Sequence, residues 1–190
     1  MEGTIQTTTQ KRKIHPQKFA LWMAMGSIAM MFAGLTSAYI VRKAQGNWVF
    51  YKLPTTFWFS TLSIVLSSVT ISMGVRAFKK REMLKYRRLI TITLILGILF
   101  GVLQYVGFSQ LYANDIRLDG NPSGSFLFII TGLHLLHIFG GIIALLIVFF
   151  RAFRKRVKVY NATGIEIVAG YWHFVDALWI YLFIFFLANQ

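Results

Sequence analysis

Two histidines three residues apart, His134 and His137, lie in one long apolar run, and the next run holds Glu166, His173 and Asp176. Side chains of these types exchange protons, ligate iron or hydrogen-bond one another. On a helix a spacing of three places both members on one face, so His134 goes with His137 and His173 with Asp176. Glu166 precedes His173 by seven, nearly two turns, and falls close to the same side. Ionisable groups are costly inside a bilayer and face protein rather than lipid. The five residues therefore predict a polar seam between two neighbouring antiparallel helices, where Gly140, Gly141, Ala169 and Gly170 allow close backbone approach.

Depth bears on the chemistry. At about 1.5 Å per residue, His137 lies roughly 20 Å from the inner end, His134 about 24 Å, Asp176 about 16 Å and His173 about 12 Å. His137 then faces Asp176 better than His173, and a His–carboxylate pair satisfies both groups in a low dielectric. The leading reading of the seam is structural hydrogen bonding. Proton handling is one rival. Cofactor ligation is the other, with a haem b held between His137 and His173, although a bis-histidine haem needs both rings at nearly one level.

These residues need elements to carry them. Five apolar stretches, at 19–41, 55–75, 89–109, 125–150 and 165–188, are each long enough to cross roughly 30 Å of hydrocarbon. They are continuous rather than alternating, and only helices or closed barrels satisfy their backbone in lipid. The fold class is all-α: a polytopic bundle of five transmembrane helices spanning 18–190 behind a polar tail at 1–17. The first span is too long, and starts too late, for a cleaved signal peptide.

Charge orders the bundle. Of the twenty Lys and Arg residues, sixteen fall in the tail with the start of the first span and in the two loops on that same side. Arg42, Lys43, Lys52 and Arg117 make up the other side. The positive-inside rule sets N-terminus in and C-terminus out. The net charge of +14 thus reads as topology and contact with anionic lipid rather than as nucleic-acid binding. With no cysteine, disulfides, thiolate catalysis, iron–sulfur clusters and cysteine-ligated zinc or copper are excluded. The outer loop at 110–124, with Asp115, Asp119 and Gly120-Asn121-Pro122, reads as turns.

The rest of the interior is bland. Spans one to three hold no ionisable interior residue, and no internal repeat is evident. Both facts weigh against a small proton or solute transporter. Trp22, Trp48, Trp58, Trp172 and Trp179 read as interfacial anchors. Met23, Met25, Met30 and Met31 read as packing material rather than copper ligands.

The run Tyr171-Trp172-His173-Phe174-Val175-Asp176, followed by Ala177-Leu178-Trp179, resembles the strongest signature of subunit III of the haem-copper cytochrome oxidases. Thr131-Gly132-Leu133-His134-Leu135-Leu136-His137 resembles the family's paired-histidine motif in the preceding span. Glu166 falls where the family carries a glutamate, and Phe149-Phe150-Arg151 resembles its Phe-Phe-Arg. Leu21-Trp22-Met23, Phe32-Ala33-Gly34-Leu35 and Ser37-Ala38-Tyr39 resemble the first span of the short bacterial members. The likeness covers the chain from Phe19 onward.

The resemblance implies the short, five-helix form, which lacks the first two helices of the long one, in a bacterial cytoplasmic membrane. It implies an accessory subunit with no catalytic, cofactor or metal residue of its own, the haem and copper being held by partner subunits. The implied partners are catalytic subunit I, other oxidase subunits and phospholipids, with a larger respiratory supercomplex as a further expectation. Implied roles are stabilising subunit I, sustaining proton uptake and binding phospholipid, the last in part through Arg151. The chain departs from the family in one place. Gly26-Ser27-Ile28-Ala29 puts Ile28 where the family has a buried glutamate, so a role resting on that acid does not carry over.

Overall fold

A computed structural model describes residues 16–46, 48–114, 116, 121–154 and 162–189. The tail at 1–15, most of the outer loop with Asp115, Asp119 and Gly120, and the basic loop at 155–161 lie outside the described residues. Five helices make up the fold: α1 (Pro16–Ala44), α2 (Thr56–Lys79), α3 (Met83–Ala113), α4 (Pro122–Phe153) and α5 (Thr163–Asn189). All five are long and apolar enough to cross a membrane.

Each helix outruns its apolar stretch by one to six residues at an end. Charged residues occupy many of those extensions, among them Lys43, Lys79, Lys85, Arg87 and Arg151. Hydropathy marks the part that sits in hydrocarbon. The helical hydrogen-bond ladder continues past it, because basic side chains reach out to the interface from a helical backbone. The ends are set by local chemistry. Pro122 starts α4 at a position needing no N–H donor, and the Asn121 side chain accepts from the Ser123 N–H at 3.1 Å.

The tight α2–α3 hairpin closes through a Schellman motif. Arg81 N–H donates to Phe78 O and Glu82 N–H to Ala77 O, both at 3.0 Å. Arg81 takes the left-handed conformation, with φ 61°, at the position that favours glycine. A non-glycine residue there costs roughly 1–2 kcal/mol, which the long antiparallel α2–α3 contact offsets.

α2, α3, α4 and α5 form a ring in which each packs on its two neighbours, while α1 lies outside against α4 and α5. The ring is filled by one face of α5. Ile165, Trp172, Trp179 and Phe186 recur every seven residues, and all are buried. Trp172 and Trp179 are 0% and 1% exposed. This corrects their reading as interfacial anchors: the two indoles fill the centre, where glycines on the facing helices leave room. A Cβ at Gly97 of α3 would stand 2.9 Å from the Trp172 ring, and one at Gly141 of α4 would stand 3.0 Å from it. Met23 and Met30 of α1 point outward, 63% and 78% exposed.

Candidate functional site

The single seam expected between α4 and α5 separates into three groups. Glu166 sits in the first turn of α5 at the basic end of the bundle. Its two carboxylate oxygens accept from Lys18 of α1 at 2.7 Å and Lys79 of α2 at 2.8 Å. The helix N-terminus also favours a negative charge there. Glu166 thus clamps α1 and α2 onto α5 and does not reach α4. The physical reason is position: one turn into the helix, it lies level with the lysines that end α2 and begin α1.

His173 turns toward α2. Its Nδ1 lies 2.5 Å from the Ser68 hydroxyl and its Nε2 3.0 Å from that of Ser72. Asp176, one turn on, is 3% exposed, and neither carboxyl oxygen has a hydrogen-bond partner. The expected His137–Asp176 pair is therefore not formed.

The paired histidines of α4 face α1 and the aromatic centre. His134 is fully buried with both ring nitrogens unpartnered. It stacks on Trp179 at 5.3 Å between ring centres and meets Phe32 of α1 and Phe100 of α3 edge-on. His137 bonds through Nδ1 to Leu133 O at 2.7 Å and packs on Phe32 at 5.8 Å. His137 thus turns toward α1 and His173 toward α2, so the two rings are not presented to one iron. Among the described residues no group of three His, Cys, Asp or Glu is placed to hold a metal ion.

Sequence reading missed the partner surface on α2. Ser60, Ser63, Ser67, Ile71 and Gly74 are buried along one stripe at helical spacing. The Trp172 indole N–H donates to Ser67 Oγ at 2.9 Å and that of Trp179 to Thr61 Oγ1 at 3.0 Å. Gln104 Nε2 donates to Ser60 Oγ at 3.1 Å, and Thr70 and Thr93 share a 2.8 Å bond. The signal was present as small and hydroxyl residues three or four apart, the pattern by which membrane helices pack.

The Tyr-Trp-His run now has a geometric meaning. The Tyr171 hydroxyl donates to His137 O of α4 at 3.0 Å, Trp172 enters the ring, and His173 reaches α2. Three consecutive residues thus fix α5 on its neighbours. A family model described as "Cytochrome c oxidase subunit III" matches residues 1–188. The chain belongs to the cytochrome c oxidase subunit III family. It is similar to the "Probable cytochrome c oxidase subunit 3" of Nocardia farcinica (strain IFM 10152), with 35% identity over 86% of this chain and 82% of that one. It is similar to the protein of the same description in Mycobacterium leprae (strain TN), with 30% identity over 95% and 94%. To the "Cytochrome c oxidase subunit 3" of Thermostichus vulcanus it is 31% identical over 96% of each chain. As a subunit III it is a multi-pass membrane protein that works within a complex with other oxidase subunits.

Two further positions bear on the family's expected roles. Ile28 is partly buried and packs against the larger core cluster as an apolar filler. Arg151 is exposed in the last turn of α4 at the basic end. Nearby, Arg87 Nε donates to Ala152 O at 2.8 Å and its guanidinium lies over Phe153.

Proposed function

We propose that the chain is an accessory, non-catalytic subunit of a proton-pumping terminal oxidase. It packs on the catalytic subunit I, stabilises it and sustains its proton uptake, while haem and copper reside in the partners and oxygen is reduced to water by the whole complex. The observation that carries this reading is the use to which the interior polar residues are put. Glu166 joins three helices, His173 joins α5 to α2, His134 is enclosed by rings from α1, α3 and α5, and His137 packs on Phe32 of α1. These are the contacts of a scaffold rather than of a turnover site.

The end carrying Lys18, Lys79, Arg87 and Arg151 faces the cytoplasm under the positive-inside rule, so the N-terminus is in and the C-terminus out. The membrane is the bacterial cytoplasmic membrane. Arg151 stands exposed at that face and serves as a phospholipid head-group contact. Other oxidase subunits pack alongside, and the complex joins a larger respiratory assembly.

The test is to tag the C-terminus, purify from native membranes in mild detergent, and record mass spectra and a visible spectrum together. Co-purification with a large subunit that accounts for all the haem and copper is expected. A chain that came away alone and colourless, or that carried its own haem b, would overturn the reading.

A further inference from the structure

His137 stands at the midpoint of the 32 residues of α4. Roughly 15 Å of hydrocarbon separates that depth from either headgroup layer. Its Nδ1 lies 2.7 Å from Leu133 O. A carbonyl only accepts, so Nδ1 carries the hydrogen, and in the neutral ring Nε2 is left as an acceptor. Nε2 makes no hydrogen bond among the described residues, and it is not enclosed as the nitrogens of His134 are. The ring is half-buried, with Phe32 of α1 against it. Tyr171 of α5 reaches the same residue but donates its proton to the backbone, at His137 O. The chain therefore carries an acceptor to mid-bilayer and brings no donor to it.

The surface beside this acceptor is open. Gly140 and Ala144, three and seven residues on, continue the His137 side of α4 toward the basic end. Gly140 is exposed and Ala144 half-buried. A Cβ at Gly140 would meet nothing nearer than the Tyr171 hydroxyl at 4.0 Å. Gly97 and Gly141 also leave room, but there the Trp172 ring fills it. No ring does so at Gly140. Small residues four apart let the backbone of a second helix come close.

We propose that this side of α4 docks a transmembrane helix of another oxidase subunit, one of whose side chains donates a hydrogen bond to His137 Nε2. Chemistry selects that occupant. Acyl chains carry no donor, and the polar groups of headgroups lie at the membrane surfaces, so a donor at this depth belongs to protein. A spanning helix uses its backbone N–H groups in its own ladder, which leaves a side-chain hydroxyl, amide or indole. The open side of α3 is the contrasting case. It presents Ile92, Ile95, Leu99 and Val102, large and exposed, with nothing to hydrogen-bond, and suits lipid.

The docking site rests on the reading of this chain as an accessory subunit. The experiment places a photoreactive diazirine side chain at Leu133, one turn from His137 on the same side of α4, and illuminates the assembled oxidase in native membranes. An adduct with a spanning segment of another oxidase subunit, identified by mass spectrometry, is expected. The same probe at Ile98 of α3 should give lipid adducts. His137→Leu should speed detergent-driven release of the chain from the oxidase about three- to tenfold, as for loss of one neutral hydrogen bond between membrane helices. His137→Gln, which keeps an acceptor, should slow it again. Thermal unfolding of the purified subunit separates docking from folding. The Nδ1 bond stays within one turn of α4, so His137→Leu should leave that unfolding nearly unchanged. If His137→Leu does not fold, the Leu133 probe still tests the site with His137 in place. Adducts at Leu133 with phospholipid, a quinone or a second copy of this chain alone would overturn the site, as would unchanged release of a folded His137→Leu chain. In each of those cases the chain still purifies with the oxidase. A chain that never enters the oxidase would overturn the accessory-subunit reading, and the site with it.

Discussion

α1 and α5 are both long and apolar enough to span the membrane, yet 11% of the most apolar window of α1 is buried inside the chain against 44% for α5. The difference comes from what is spaced along them. α5 carries two indoles seven residues apart, each with an N–H that finds a hydroxyl on α2. α1 buries only Phe32, Thr36 and Tyr39 and turns its methionines and small residues outward. Lipid tails are as apolar as leucine, so apolar surface does not decide which helices associate. Close packing against small residues and specific hydrogen bonds do.

The largest test of this contrast is Trp172→Ala. It opens a cavity at the centre of the four-helix ring and removes the bond to Ser67, for a loss of about 3–5 kcal/mol. Trp22→Ala, on the 70% exposed face of α1, should fall within about 0.5 kcal/mol. Thermal unfolding of the purified subunit would compare them, and equal losses would break the contrast. Next comes Gly97→Ala, whose new Cβ meets the Trp172 ring at 2.9 Å. The ring is enclosed by Gly141 and Ser67 and has little room to shift, so overpacking of about 1–3 kcal/mol is expected. Gly34→Ala on α1 meets nothing within 4 Å and should be close to neutral. If Gly34→Ala weakened only the assembled oxidase, the open face of α1 would be placed against another subunit.

The number and class of elements were legible because twenty-residue apolar runs leave the backbone few alternatives. The order of packing was less so. Antiparallel neighbours α4 and α5 were expected to share one seam, since residues three apart must share a face. Which helix that face meets depends on rotation about the axis, and on α5 the face carrying Glu166 and His173 is rotated onto α2. Trp172 and Trp179 were misassigned because composition marks tryptophan as interfacial. Their seven-residue spacing, matched by Gly97, Gly141 and the Ser67 stripe, was the information that places them inside.

Two smaller tests sharpen how α1 is held. Glu166→Gln removes the acceptor charge for both Lys18 and Lys79. The lysine side chains are 42% and 55% exposed, so solvent screening limits the loss to about 1 kcal/mol or less. The loss should shrink as salt is raised from low to near-molar, where the screening length falls to about 3 Å. A loss independent of salt would point to packing rather than charge, and thermal unfolding at two salt concentrations distinguishes them.

The smallest effect belongs to Tyr181→Phe. Phe32 O, 3.0 Å from Thr36 Oγ1, can take the threonine's proton, which leaves Oγ1 free to accept from the Tyr181 phenol at 2.9 Å. Removing that phenol leaves no donor stranded, only one acceptor lone pair of Thr36, for about 0.5–1 kcal/mol. Thr36→Val removes the acceptor instead. It leaves Tyr181, 46% exposed, able to turn its hydroxyl outward, but it also strips the α1 backbone of a side-chain bond. A double-mutant cycle isolates the shared term. A coupling near zero would mean that α1 is held on α5 by its Phe32 and Tyr39 side chains and its ends alone. A coupling near the full single-mutant loss would make the Thr36–Tyr181 bond the point that fixes the rotation of α1 midway along the bundle.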